Sequence, residues 1–128
     1  METLTESFEL NDATRPYDIK HRSYFFSKEI INFVKGCRYD KIYSSLFDQL
    51  IRSATSIGAN VVEGRAGSSK KDWQKFLNIA LKSANETKYW LCLIRDTIDD
   101  IAKNKINELI KEADEISKII ASIIINSK

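Results

Sequence analysis

A long apolar seam at helical spacing, between residues 73 and 98, constrains the fold of this chain more than any other feature. Its members recur at alternating intervals of four and three residues: Trp73, Leu77, Ala80, Ala84, Thr87, Leu91, Ile94 and Ile98. Side chains at these intervals share one side of an α-helix, whereas a half-buried β-strand would need apolar residues at every second position. The seam therefore predicts a long amphipathic helix from about Lys70 to Ile98.

A second stripe runs beside this seam on the same predicted helix. It is largely apolar and is centred on small and polar residues: Phe76, Ile79, Ser83, Glu86, Trp90 and Leu93. Because one side of a helix packs against one set of neighbours, two stripes indicate two sets of partners. We expect the seam to face the intramolecular core and the second stripe to face another helix.

Three other segments carry apolar side chains at the same helical spacings. The first begins after Asp18, a residue type that caps helices, and ends near Gly36, a residue type that stops them. The second follows Ser45, which stands three residues before Asp48 in a capping arrangement, and the last runs from Ile106 to Ile124. Four Gly and one Pro are too few for the tight turns of a β-fold. The sequence therefore predicts an all-α, antiparallel up-down-up-down four-helix bundle.

The domain prediction is one bundle with a short acidic extension. A length of 128 residues suits one domain with one core. Residues 1–16 are predicted to form an acidic, flexible tail because they show no sustained period, and residues 17–128 are predicted to form the bundle. No apolar segment resembles a signal peptide or a membrane span, and Cys37 and Cys92 form no CxxC pair, so a cytoplasmic location is expected.

Positive charge is concentrated between residues 52 and 88. Lysines and arginines outnumber the acidic residues Glu63, Asp72 and Glu86 there and leave this stretch at +4, whereas the whole chain has a net charge of +2. Such asymmetry is typical of a surface for nucleic acid or an acidic partner, and equally of an ordinary solvated helix side. Four basic residues at one predicted bundle end form the candidate nucleic-acid-binding site: Arg65, Lys70, Lys71 and Lys75.

The sequence lacks the residue patterns on which a helical enzyme would depend. A di-iron centre in a bundle needs Glu-x-x-His pairs, but His21 is the only histidine. A nucleophile needs an oriented base, and neither cysteine has one in its sequence context. The segment from Gly64 to Lys70 departs from the GxxxxGK[ST] phosphate-binding pattern and follows a predicted helix rather than a strand. We therefore predict a non-enzymatic protein with no catalytic residue, metal site or cofactor.

A polar stripe on the second predicted helix is a more specific feature. Its residues recur at spacings of four, four and three, and so share one side of the helix: Arg52, Ser56, Asn60 and Glu63. Small residues flank them, and Gly58 lets another helix approach closely. Together with Ser83 and Glu86 of the third helix, this stripe forms a predicted recognition or assembly face. The alternative is that it is the solvent side of the second helix.

The run from Arg52 to Gly64, RSATSIGANVVEG, resembles the signature R-x-A-x-S-I-x-A-N-I-x-E-G. That signature is the hallmark of bacterial four-helix-bundle proteins encoded in intervening sequences of 23S ribosomal RNA genes. A following pattern is also similar to that family, through Ser69, Phe76, Leu77, Ala80, Ser83 and Glu86. The resemblance extends roughly from Asp18 to Ile124. The chain departs from many of these relatives at Lys82, where they have glycine, and in its acidic tail.

The resemblance implies a four-helix bundle that assembles as a ring-like homopentamer. It implies structural and assembly roles for Asn60, Glu63, Ser83 and Glu86, and no catalytic role. Relatives include the accessory variability proteins of diversity-generating retroelements, which bind nucleic acid and a reverse transcriptase. We therefore predict a homo-oligomeric accessory protein that binds RNA or DNA through its basic cluster. The alternative is a protein–protein interaction scaffold that binds no nucleic acid.

Overall fold

The computed structural model describes residues 18–127, which form four α-helices joined by short connections. They are α1 (Ile19–Gly36), α2 (Ser44–Ala66), α3 (Lys70–Thr97) and α4 (Lys103–Asn126). A 3-10 helix over Lys41–Tyr43 leads directly into α2, and the described residues contain no β-strand. The prediction of an all-α chain with four helices is thereby confirmed. The predicted tail of residues 1–16 lies outside the described residues.

The helices begin and end where the sequence offers partners for their free backbone groups. Asp18 accepts a hydrogen bond from the amide of Lys20 at 2.9 Å, and the Ser69 hydroxyl accepts one from the amide of Asp72 at 3.1 Å. These contacts satisfy amides that the first turns of α1 and α3 leave without an intrahelical partner. At its other end α1 stops at Gly36, as predicted.

The predicted capping role of Ser45 is wrong. α2 begins at Ser44, and Tyr43 occupies the capping position without a side-chain hydrogen bond. The Ser44 hydroxyl instead donates to the carbonyl oxygen of Lys41 at 2.7 Å. Because the 3-10 helix continues directly into α2, the chain enters the α-helix already turning and does not depend on a capping side chain.

A hydrophobic core runs along the inside of the bundle. The seam of α3 is buried from Leu77 to Ile98, and Trp73 at its start is half-buried. The largest fully buried side chains come from all four helices: Phe26, Ile30, Phe47, Leu50, Ile57, Leu77, Leu91, Ile94, Ile106, Leu109, Ile116 and Ile120. Burying one such side chain contributes about 1.5–3 kcal/mol, so apolar burial is the main stabilising term for this fold.

Neighbouring helices make contacts in the register of antiparallel pairs. In each pair of neighbouring helices, residue numbers increase along one helix as they decrease along the other. Between α1 and α2 the contacts are Ser23 with Gly58 and Ser27 with Ala54, and between α2 and α3 they are Ser53 with Thr87 and Ser56 with Ser83. Between α3 and α4 they are Gln74 with Ser127 and Lys88 with Asp114. Ion pairs join α1 to α4, from Arg22 to Glu112 and from Glu29 to Lys105. The start of α1, the end of α2, the start of α3 and the end of α4 therefore lie at one end of the molecule.

Close approach of α1 to α2 occurs at Gly58, as the sequence predicts. A Cβ atom added to Gly58 would lie 3.3 Å from the Cβ of Ser23, which is tighter than ordinary van der Waals contact. The hydroxyl of Ser27, one turn further along α1, donates to the carbonyl oxygen of Ala54 at 3.3 Å. The two backbones therefore run close together because neither helix presents a large side chain here.

Candidate nucleic-acid interface and assembly face

The four basic residues predicted to bind nucleic acid lie at one end of the molecule. Arg65 stands in the last turn of α2, Lys70 and Lys71 stand in the first turn of α3, and Lys75 follows one turn later. The connection between the two helices, residues 67–69, is short and brings the four together. All four side chains are exposed. We call this group the basic end.

The three lysines of the basic end form no ion pair with any residue between 18 and 127. Lys75 Nζ lies 5.5 Å from the centroid of the Phe76 ring, a contact with an uncharged group. Arg65 differs, because its Nη2 lies 3.1 Å from Oδ1 of Asp18 at the start of α1. The positive potential of the basic end therefore comes mainly from its lysines.

Asp18 connects the basic end to the start of α1. One carboxylate oxygen accepts from the Lys20 amide and pairs with Arg65, and the other lies 3.4 Å from Nδ1 of His21. Partial burial alone would raise the pKa of Asp18, but the Lys20 amide and the Arg65 guanidinium outweigh it and hold the pKa below its usual value. The carboxylate is therefore ionised at neutral pH and offsets part of the charge of Arg65.

Replacing Asp18 with asparagine should lower the free energy of unfolding at neutral pH. Asparagine still caps α1 but cannot form the ion pair with Arg65, so the loss should be about 0.2–1 kcal/mol, the range for an exposed pair. Because the folded-state pKa of Asp18 lies below its ordinary value of 3.8, the ion pair stabilises the fold above that value and is lost as the pH falls through the folded-state pKa.

Urea denaturation of wild type and Asp18→Asn at neutral pH and at about pH 3 measures this effect. The difference in unfolding free energy between the two proteins should shrink at the lower pH, because the carboxyl group of the unfolded wild-type chain takes up a proton below its ordinary pKa of 3.8. An equal difference at both pH values would contradict a contribution from the ionised carboxylate.

Two backbone amides in the first turn of α3 already have partners. The Asp72 amide donates to the Ser69 hydroxyl and the Trp73 amide donates to the Ser69 carbonyl oxygen at 3.1 Å. In the preceding connection, the Gly67 amide donates to the carbonyl oxygen of Gly64 at 3.2 Å. The two amides of α3 are therefore engaged within the protein, and the exposed lysine side chains supply the positive charge for an anion at this end.

The structure brings together three of the six residues predicted to form the assembly face. The side-chain amide of Asn60 donates to the Ser56 hydroxyl oxygen at 2.9 Å, and the Ser83 hydroxyl on α3 donates to the same oxygen at 2.9 Å. All three side chains are half-buried where α2 meets α3. Their hydrogen bonds fix the position of α2 along α3.

The other three residues of the predicted face, Arg52, Glu63 and Glu86, are exposed and lie outside this hydrogen-bond network. Glu86 accepts a hydrogen bond from the indole of Trp90, one turn along its own helix, at 3.0 Å. These side chains therefore remain accessible to another molecule, and their assembly role stays a prediction.

A buried hydrogen-bond contact between α2 and α3 was not identified in the sequence. The hydroxyl oxygens of Thr87 and Ser53 lie 3.0 Å apart, and both side chains are buried. The available signal was a hydroxyl-bearing residue, Thr87, within an otherwise apolar seam. Since a buried hydroxyl needs a partner, its presence could have indicated a polar residue opposite on a neighbouring helix.

Ser56 and Ser83 should prove energetically coupled. The hydrogen bond between them is expected to contribute about 0.5–1.5 kcal/mol, the usual net value for such a contact. A double-mutant cycle of Ser56→Ala and Ser83→Ala, measured by urea denaturation, should therefore give a coupling free energy of about 0.5 kcal/mol or more. The exposed Ser45 supplies the matched control, because Ser45→Ala should be additive with Ser83→Ala. Additivity of Ser56→Ala with Ser83→Ala would contradict the coupling.

A groove of about 480 Å³ lies between α1 and α2. Its lining is mainly apolar and includes Tyr24, Ile31 and Val62, with Glu63 among its polar members. Tyr24 and Ile31 are exposed, as is Phe25 on the same helix. Helix α1 therefore carries apolar side chains on its exposed side as well as on the side that faces the core.

Among residues 18–127, no group of three or more His, Cys, Asp and Glu side chains is placed to hold a metal ion. His21 is buried, at 2% exposure, beside Asp18. Cys37 and Cys92 are half-buried free thiols. None of the described helices combines the length and the apolar character needed to cross a membrane.

The fold and these surfaces define a four-helix protein with a basic end and a hydrogen-bonded contact between its second and third helices. The family model of the 23S rRNA-intervening sequence proteins matches residues 15–122. The chain therefore belongs to the 23S rRNA-intervening sequence protein family, and the resemblance carried by residues 52–64 is confirmed.

A solved structure supports the same assignment. The chain is similar to a protein with unknown function from the S23 ribosomal protein family of Bacteroides thetaiotaomicron, with 37% sequence identity and a TM-score of 0.73. The alignment covers 84% of this chain and 98% of that chain. Comparison with curated proteins found no match. Neither the family model nor the solved structure indicates a catalytic family.

Proposed function

We propose that this chain is a homo-oligomeric, non-enzymatic accessory protein of the cytoplasm that binds nucleic acid through its basic end. The observation that carries the proposal is the placement of Lys70, Lys71 and Lys75, which are exposed at one end of the bundle and have no ion-pair partner among residues 18–127. Phosphate groups suit such a cluster, because their neutralisation by lysine releases counterions from the nucleic acid.

Assembly would multiply this charge. In a closed oligomer each basic end is repeated by symmetry, so several weak contacts can act together on one long ligand. We propose a pentamer, the state that the family resemblance implies, with the exposed and half-buried apolar members of the second stripe of α3 and the exposed members of the polar stripe of α2 at the subunit contacts. Ile79 is 37% exposed, and Trp90 and Leu93 are half-buried. These side chains therefore retain apolar surface that a neighbouring subunit could bury.

Recognition at the basic end would rest on phosphates more than on bases. Trp73 and Phe76 are half-buried and pack against Gly64, so they are poorly placed to stack on a nucleobase. Three phosphate contacts to a single strand predict a slope of roughly −2 in the logarithm of affinity against the logarithm of salt concentration, for each subunit engaged. Sequence preference should be weak.

The test is fluorescence anisotropy of a labelled, single-stranded RNA titrated with the purified protein across a salt series. Affinity should fall roughly 16-fold per engaged subunit between about 50 and 200 mM salt. No binding at the lowest salt concentration would overturn the proposal, and salt-independent binding would overturn the phosphate mechanism. Light scattering on the same sample measures the subunit number, and a monomer would overturn the proposed assembly.

The second candidate function is a protein–protein interaction scaffold that binds no nucleic acid. It is favoured by the apolar groove between α1 and α2 and by the exposed side chains Tyr24, Phe25 and Ile31 of α1. Exposed apolar surface of this kind marks contact sites for other proteins when it is contiguous. A pull-down that recovers a protein partner after nuclease treatment, without RNA, would favour the scaffold function.

A further inference from the structure

We infer that the outer side of α3 continues the basic end as a binding surface for single-stranded nucleic acid, an inference that rests on the proposed function. Six exposed residues form it, at intervals of four, three, four, three and four: Lys71, Lys75, Asn78, Lys82, Asn85 and Tyr89. At 3.6 residues per turn, their side chains lie within about 40° of one line along the helix. We call these six residues the outer stripe.

The outer stripe is long enough to contact several nucleotides at once. From Lys71 to Tyr89 the helix rises by about 27 Å, at 1.5 Å per residue. A stacked strand advances about 3.4 Å per nucleotide, so the stripe spans roughly eight nucleotides. Known single-strand-binding folds cover about 4–16 nucleotides. The helix therefore offers an extended contact rather than a single anion site.

The outer stripe carries charge of one sign. Lys71, Lys75 and Lys82 form no ion pair within the described part of the chain, and no member of the stripe is acidic. Glu86 lies beside the stripe, but its carboxylate accepts from the Trp90 indole and pairs with none of these lysines. The positive charge of the stripe is thus available to an external anion.

The exposed side of helix α4 has the charge pattern of an ordinary solvated surface and serves as a comparison. Its exposed positions alternate in sign, through Glu108, Lys111, Glu115 and Lys118, and Lys118 pairs with Asp114 at 3.1 Å. Such alternation supports ion pairs one turn apart. The outer stripe of α3 contains three cations, two amides and an aromatic ring without an anion, a composition that complements a phosphate backbone instead.

Tyr89 is the residue that would distinguish a single strand from a duplex. The residue is 60% exposed, and its ring meets the Trp90 ring edge-on, with centroids 5.1 Å apart and an interplanar angle of 77°. An exposed aromatic ring can stack on an unpaired base, whereas the bases of a duplex are already stacked on one another. Asn85, one turn earlier, adds a side-chain amide that both donates and accepts hydrogen bonds.

The test compares a labelled single-stranded RNA of about 12 nucleotides with a duplex of the same length, each titrated with the full-length protein by anisotropy. Tyr89→Ala should weaken single-strand binding roughly 5- to 160-fold with an unchanged salt slope, and should leave duplex binding near the wild-type value. Tyr89→Phe should retain single-strand affinity because it keeps the ring. Lys82→Glu should weaken binding to both RNAs and reduce the salt slope by about one.

Lys111→Glu is the matched control, since Lys111 is an exposed lysine on α4, outside the stripe. It should leave both affinities near the wild-type value. Single-strand binding by Tyr89→Ala at wild-type affinity, or equal behaviour of Lys82→Glu and Lys111→Glu, would overturn the inference. Failure of the wild-type protein to bind any RNA would overturn the proposed function as well, whereas stripe variants without effect in a protein that does bind RNA would overturn the inference alone.

Discussion

Replacing Lys70, Lys71 and Lys75 together with glutamate is expected to abolish RNA binding. The change removes three phosphate contacts per subunit and places three anions where the RNA backbone would lie. Because the same loss occurs in every subunit of an oligomer, the effect on avidity multiplies. Anisotropy titrations should therefore show no saturation at protein concentrations far above the wild-type Kd. Saturable binding near the wild-type Kd would show that the basic end is not the interface.

The fold should tolerate this triple variant. Its three side chains are exposed and have no ion-pair partner among the residues that the structure describes. Glutamate in the first turn of α3 also interacts favourably with the helix dipole, which lysine opposes. Circular dichroism and light scattering should match the wild type, and Tm should be equal or slightly higher. A change in subunit number would mean that these lysines serve assembly.

The matched control reverses three exposed lysines elsewhere in the chain, Lys41, Lys103 and Lys111. This control variant undergoes the same change in net charge as the first. It should keep most of its RNA affinity at physiological salt, where the field of an exposed charge is largely screened beyond about 8 Å. Equal loss of binding in both variants would show that total charge, rather than the basic end, attracts the RNA.

Gly64→Ala is expected to destabilise the protein, because α2 and α3 leave no room for a methyl group at this point. A Cβ atom on Gly64 would lie 2.7 Å from Cε3 of Trp73 and 3.1 Å from Cβ of Phe76. The Trp73 ring could rotate, but the Phe76 Cβ is attached to the backbone of α3, so the helices would have to separate. Overpacking of this kind costs about 1–3 kcal/mol, whereas alanine gains at most about 1 kcal/mol over glycine in a helix.

Gly36→Ala is the control for this prediction, because a Cβ atom on Gly36 meets nothing within 4 Å and its φ angle is not positive. It should be neutral or stabilise the fold by up to about 1 kcal/mol. Thermal unfolding followed by circular dichroism should place the Tm of Gly64→Ala several degrees below that of Gly36→Ala, since 1 kcal/mol corresponds to roughly 4–8 °C in a small domain. Equal Tm values would show that α2 and α3 accommodate the added methyl group without loss of stability.

Local spacing predicted helix α3 almost to the residue. The sequence indicated a helix from about Lys70 to Ile98, and the structure has Lys70–Thr97. This success has a physical reason, because intervals of three and four residues reflect the pitch of the helix itself and need no knowledge of the rest of the chain. The same Ser-x-x-Asp spacing marks a cap at Ser69, where the hydroxyl accepts from the Asp72 amide, but not at Ser45, where a 3-10 helix leads directly into α2.

Contacts between residues far apart in the chain were not predictable from the spacing within one helix. The ion pair of Asp18 with Arg65 and the contact of Ser53 with Thr87 each join residues far apart in the chain. Their partners depend on how neighbouring helices are rotated and shifted against one another. Spacing within one helix cannot supply that information, because it defines which residues share a side but not what lies opposite them.

The sequence by itself determined the helical class of this protein, the core-facing seam of α3 and the presence of a basic cluster between α2 and α3. Only the tertiary structure decided that, within residues 18–127, Arg65 is paired while Lys70, Lys71 and Lys75 are not. It also decided that Ser56, Asn60 and Ser83 meet while Glu63 and Glu86 stay exposed. Periodicity follows from backbone geometry along one helix, whereas the partner of a side chain is set by the packing of that helix against the others.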